Sequence, residues 1–144
     1  MSAALFLAKT AYIRGEVPVG AVIVKNNRIV STGFNRREER HSPIEHAEIT
    51  AIRRASSRLG NWRLQGCKIF VTLEPCIMCA GALWQSRIDE VIFGATDPKG
   101  GALGGTIDIL EAKGLNHYFL SRKGLLQQES SELLKNFFRS RRGK

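Results

Sequence analysis

The chain has 144 residues, the size of one ordinary domain, long enough to bury a core without help from disulfides. Its 43% hydrophobic and 24% charged residues form a globular composition, and no apolar run approaches the roughly 20 residues that cross a bilayer, which predicts a soluble protein with no membrane role. Three cysteines are too few for a disulfide framework, and a net charge of +9 points to polyanionic partners.

Along the chain, Leu5, Ala8 and Tyr12, with Leu7 and Ala11, make an apolar stripe of helical period and predict a first helix. Lys9 and Arg14 precede the first acid, Glu16, faintly like an organellar transit segment, but the stripe gives this stretch a place in the fold. Without a signal-peptide cleavage pattern the expected location is the cytoplasm. Val19–Val24 and Ile29–Phe34 are predicted strands, and Asn26-Asn27 between them tolerates positive φ, so Lys25–Arg28 reads as a hairpin turn.

The next helix carries His46 and Glu48 and runs to about Arg58, with Ile49, Ile52 and Ala55 as core positions. Ser42-Pro43-Ile44-Glu45 has the form of a capping box, which would start that helix near Pro43. A helix turns about 100° per residue, however, and would put His46 and Glu48 on nearly opposite faces. The start is therefore placed nearer Glu45, with His46 at the N-terminal edge. Lys68–Thr72 is a third strand, preceded by Cys67, whose setting predicts a buried structural thiol. Pro75 marks the first turn of a helix on which Cys76 and Cys79, three apart, share a face. Glu90–Gly94 is a fourth strand and His117–Leu120 a weaker fifth. The glycine-rich loop Asp97–Gly105 lacks the Walker spacing, which excludes a triphosphate cradle. With no linker or repeat, this order predicts a single α/β domain over residues 1–144, three-layered α/β/α around a central mixed five-stranded sheet.

His46, Cys76 and Cys79 supply three soft metal ligands, and Glu48 is left as an unspent carboxylate. Structural zinc sites close all four positions with Cys or His, whereas catalytic sites leave one for water. Taken singly, His46 reads as a capping or surface histidine, Glu48 as a solvated helix residue and the cysteines as a structural or redox pair. Together, brought to two successive helix starts by one helix and one strand, they read as a hydrolytic zinc site with Glu48 as the proton carrier. The charge is unevenly placed. From Ser121 to Lys144 seven basic residues face two acidic ones, +5 of the total +9. That segment reads either as a phosphate-contacting surface or as a solvated tail.

The two motifs, His46-Ala47-Glu48 and Pro75-Cys76-Ile77-Met78-Cys79, match the H-x-E and P-C-x-x-C signature of zinc-dependent nucleobase deaminases. The chain resembles the cytidine deaminase-like superfamily, and closely the bacterial-type tRNA-specific adenosine deaminases. Beyond the zinc motifs the likeness includes Glu16-Val17-Pro18-Val19-Gly20-Ala21, Gly33-Phe34-Asn35, Val71-Thr72-Leu73-Glu74-Pro75-Cys76, Phe93-Gly94-Ala95 and Phe137-Phe138-Arg139-Ser140-Arg141-Arg142. The resemblance implies a cytidine deaminase-like fold, one Zn²⁺ per subunit, a homodimer, and conversion of adenosine to inosine at the wobble position of a tRNA anticodon stem-loop. It also implies that Asn35 hydrogen-bonds the flipped base and that Val17, Ala47 and Leu73 line its pocket. Asp97, Lys99, Asn116 and His117 match loop positions near the anticodon nucleotides, and Phe138, Arg139, Arg141 and Arg142 match a last helix lying along the RNA. Relatives usually carry several more residues before the stretch matching Leu5-Phe6-Leu7-Ala8, which bears on the first helix. Two rivals follow: a deaminase of a free base or nucleoside on the same fold, and a noncatalytic RNA-binding subunit with structural zinc, whose expected mark is loss of the glutamate at position 48.

Overall fold

The computed structural model describes residues 1–143; Lys144, the last of the basic C-terminal residues, lies outside them. The elements are α1 (Ser2–Ile13), β1 (Gly20–Lys25), β2 (Arg28–Phe34), α2 (Arg37–Arg40), α3 (Ala47–Leu59), β3 (Cys67–Leu73), α4 (Ile77–Gln85), β4 (Glu90–Ala95), a 3₁₀ turn (Ile109–Glu111), β5 (Leu120–Lys123) and α5 (Gln127–Arg142). The strands form one sheet in the order β2-β1-β3-β4-β5. β1 is antiparallel to β2 and β3, while β3, β4 and β5 run parallel, so the sheet is mixed.

The β1–β2 hairpin turns where Asn26 and Asn27 hold φ of 51° and 61°, the left-handed pair that a tight two-residue turn requires. Alternation then sorts the strands' side chains. Ala21, Ile23, Ile69, Val71, Val91 and Phe93 join the core with α3 and α4, while Val22 and Ile92 face the other way. α1 and α5 pack together on that second face, α1 burying Ala4, Leu5, Ala8 and Ala11, so the first helix is firmly seated. The result is the expected three-layer arrangement. Among the described residues no helix is long and apolar enough to cross a membrane.

Four local expectations are corrected. α3 begins at Ala47, not near Glu45, and its buried stripe is Ala47, Ala51 and Ala55, with Ile49 and Ile52 only half-buried. The reason is close approach: a Cβ added to Gly33 of β2 would stand 2.4 Å from the Ala47 carbonyl oxygen, so α3 lies directly on the strand and only small residues fit between. Pro75 is not in the first turn of α4 but precedes its N-cap, Cys76. The fifth strand is Leu120–Lys123 rather than His117–Leu120. Phe119 is buried and His117 Nε2 donates to the Ile88 carbonyl at 2.8 Å, anchoring the approach, while the ladder itself starts at Leu120 opposite Glu90.

Candidate active site

Two helix starts face each other at the ends of β2 and β3. His46 is the N-cap of α3, with extended φ and ψ of −79° and 156°, and Cys76 is the N-cap of α4, with −73° and 176°. An N-cap side chain turns back over the second and third residues of its own helix. That geometry brings Cys76 to Cys79 and removes the difficulty over His46 and Glu48, since His46 does not lie on the helical lattice. The three ligand atoms converge within 4.8 Å of one another, with His46 Nδ1 3.7 Å from Cys76 Sγ and 3.4 Å from Cys79 Sγ. A tetrahedral zinc, with bonds near 2.3 Å to sulfur and 2.0 Å to nitrogen, separates such donors by about 3.5 Å. The trio therefore suits an ion of that size, with one position left over.

The electrostatics of the cluster follow from burial and mutual hydrogen bonding. A hydrogen bond from the Cys79 thiol, with help from His46, lowers Cys76 to about 4 against the cost of burial. Cys79 is pushed up by that same donation and by its burial, and the bond with Cys76 raises His46. Glu48 is only 4% exposed, and burial raises its pKa, opposed by its own backbone N–H and by His46. Burial thus favours the protonated form of this carboxyl more than water would.

The MafB19-like deaminase family matches residues 1–142. The tRNA-specific adenosine deaminase of Bacillus subtilis (strain 168) is 45% identical over 144 residues, covering 100% of this chain and 89% of that protein. That of Aquifex aeolicus (strain VF5) is 47% identical over 142 residues, covering 99% and 93%. The chain belongs to the tRNA-specific adenosine deaminase family. A structure from biochemical and structural studies of A-to-I editing by tRNA:A34 deaminases at the wobble position superposes with a TM-score of 0.90 at 42% identity, covering 93% of this chain and 97% of that one. The guanine deaminase of Nitrosomonas europaea shares the fold, with a TM-score of 0.80 at 23% identity, covering 94% of this chain and 81% of that one.

In this family member His46, Cys76 and Glu48 line a cavity of about 850 Å³, while buried Cys79 is not among its lining residues. Val17, Asn35, Ala47 and Leu73 line it, as do Asp97, Lys99, Phe138, Arg141 and Arg142. Asn116, His117 and Arg139 are not among its lining residues, and the ring of His117 is engaged with Ile88. The Asn35 amide is oriented by the backbone: Nδ2 donates to the Val17 carbonyl at 3.2 Å and Oδ1 accepts from the Arg37 N–H at 3.4 Å. One N–H and one lone pair remain for a ligand. The Arg141 guanidinium donates to the Gly15 carbonyl and lies 5.0 Å over the Phe137 ring. Sequence reasoning missed Arg37, Lys135 and Glu74, which also line the cavity. The first two are ordinary exposed cations by pattern. Glu74 carried a signal, an acid between Leu73 and Pro75 at the end of an apolar strand.

Proposed function

We propose that this chain is a single zinc-dependent deaminase domain, spanning residues 1–144, that converts adenosine to inosine at the wobble position of tRNA anticodons. The convergence of His46, Cys76 and Cys79 beside buried Glu48, under a rim of Arg37, Lys99, Lys135, Arg141 and Arg142, is the observation that carries it. A small neutral base needs no such basic rim; an anticodon stem-loop does. The three residues would hold one Zn²⁺ per subunit. Zinc, when bound, supplies a water acidified towards a pKa of about 7 and a positive charge beside the developing oxyanion.

The chain's own residues do the rest. Adenine flips out of the anticodon stack into the cavity, where Val17, Ala47 and Leu73 contact its faces and Asn35 its edge. Glu48 takes a proton from water and passes it to N1, which makes C6 electrophilic. The water oxygen bonds to C6, Glu48 moves the second proton to the amino nitrogen, the C6–N bond breaks, and ammonia leaves as the ring keeps the oxygen. Asp97 and Lys99 at the mouth, and Phe138, Arg139 and Arg142 on α5, take the flanking nucleotides and phosphates. Following the family resemblance, we place the enzyme in the cytoplasm as a homodimer, which sedimentation would read.

The test is Glu48→Ala. Zinc content and stem-loop affinity should stay at wild-type levels while inosine formation is lost. Near-normal inosine formation would show that Glu48 is not the acid/base. Assaying the wild-type protein on an anticodon stem-loop beside free adenosine, cytidine and guanine addresses the rival; turnover of the free compounds alone would replace RNA with a small substrate.

A further inference from the structure

Glu74 is 3% exposed, belongs to no step of the chemistry above, and makes no ion pair among the described residues. Its carboxylate instead accepts three backbone N–H groups from one loop: Asp97 on Oε1, and Leu103 and Gly105 on Oε2, each at 2.9 Å. The loop's main chain rests on the carboxylate itself, since a Cβ added to Gly101 would stand 2.2 Å from its carbon. Two more ties join this loop to the metal-binding segment. The Ala102 N–H donates to the Pro75 carbonyl at 2.9 Å, and Gly101 bridges to Cys76. Asp97 passes the constraint on, its Oδ1 accepting from the N–H of Lys99 at 3.0 Å and of Gly100 at 3.1 Å.

We propose that Glu74 is a positioning residue that fixes the RNA-facing wall of the cavity: its buried carboxylate sets the loop carrying Asp97 and Lys99 relative to the Cys76 segment. This rests on the function proposed above. The chemistry requires an acceptor-only group at this point. Glutamine has one acceptor oxygen and an amino group that would oppose an N–H donor, so either the Asp97 tie or the Leu103 and Gly105 ties must break. The loop then loosens at the mouth while the metal trio and Glu48, held by α3 and α4, stay in place.

Glu74→Gln, Lys99→Ala and the double variant are compared with the wild type for zinc content, kinetics on an anticodon stem-loop, and hydrogen–deuterium exchange over Asp97–Gly105. Glu74→Gln should speed exchange in that loop and raise KM about tenfold, with kcat within about threefold and full zinc. Lys99→Ala should cost clearly less in the Glu74→Gln background than in the wild type, because the loop has already left its place. Gly101→Ala, which displaces the loop but leaves the carboxylate, should give the same exchange and KM signature. Unchanged exchange, a loss confined to kcat, an equal Lys99→Ala cost in both backgrounds, or a wild-type KM for Gly101→Ala would each overturn the proposal. If the wild type makes no inosine on the stem-loop, the function proposed above falls instead, and the exchange measurement still decides whether Glu74 holds the loop.

Discussion

Gly33→Ala places the smallest possible side chain between β2 and α3, with no polar group of its own, and should damage the candidate active site. Its Cβ would stand 2.4 Å from the Ala47 carbonyl oxygen and 3.0 Å from the Ala51 nitrogen, where ordinary contact begins at 3.4 Å. α3 must therefore retreat by about 1 Å, since a packed interior has no slack to absorb the methyl elsewhere. Overpacking of this kind costs about 1–3 kcal/mol. For a chain of this length that is a fall of roughly 3–10 °C in Tm. Ala47 sits between His46 and Glu48, so the same retreat moves a proposed metal ligand and the proposed proton carrier together. A displacement of about 1 Å at reacting groups is worth on the order of a hundredfold in kcat. The assay is thermal melting with zinc content and initial rates on a stem-loop. Gly81→Ala in α4 is the stability control, since a Cβ there meets nothing within 4 Å and helix propensity favours it. Wild-type Tm and kcat for Gly33→Ala would refute the close-approach argument outright.

Two further outcomes are expected. Replacing Arg139 and Arg142 with alanine should flatten the dependence of log Kd on log salt by about 0.7–0.9 for each phosphate left without its cation, read by fluorescence anisotropy over a KCl series. An unchanged slope returns the end of α5 to a solvated helix; Arg141 is left out because its bond to Gly15 gives it a structural part. Glu16→Gln should destabilise by about 1–3 kcal/mol in a urea titration, because a buried carboxylate that accepts two N–H groups becomes an amide that can accept one and opposes the other. The donors are Glu38 N and Glu39 N of α2, both at 2.9 Å, and a wild-type midpoint would contradict that role.

The candidate site residues were legible because chemistry is written in residue type and short spacing. Two cysteines three apart after a proline, and a histidine two before a glutamate, carry their meaning in a few letters. The strands β1 to β4 and the Asn26-Asn27 turn were legible for a similar reason, since apolar runs and positive-φ residues act locally. β5 was placed early because its four residues are all exposed and carry no apolar alternation; its position is decided by the free edge of β4, where Arg122 Nε meets Glu90 Oε1 at 2.7 Å. The alanine stripe of α3 likewise answers to Gly33, a residue on another element.

By itself, then, the sequence named the atoms that could bind a metal and the carboxylate proposed to move protons. Only the tertiary structure decided that His46 and Cys76 are N-caps, that α3 rides directly on β2, and that Glu74 holds a loop 23 to 31 residues further along the chain. The Glu74 bonds join a buried side chain to distant backbone N–H groups and α3 packs on β2, and both form only after the sheet has brought the partners together. A local pattern carries no information about that distance.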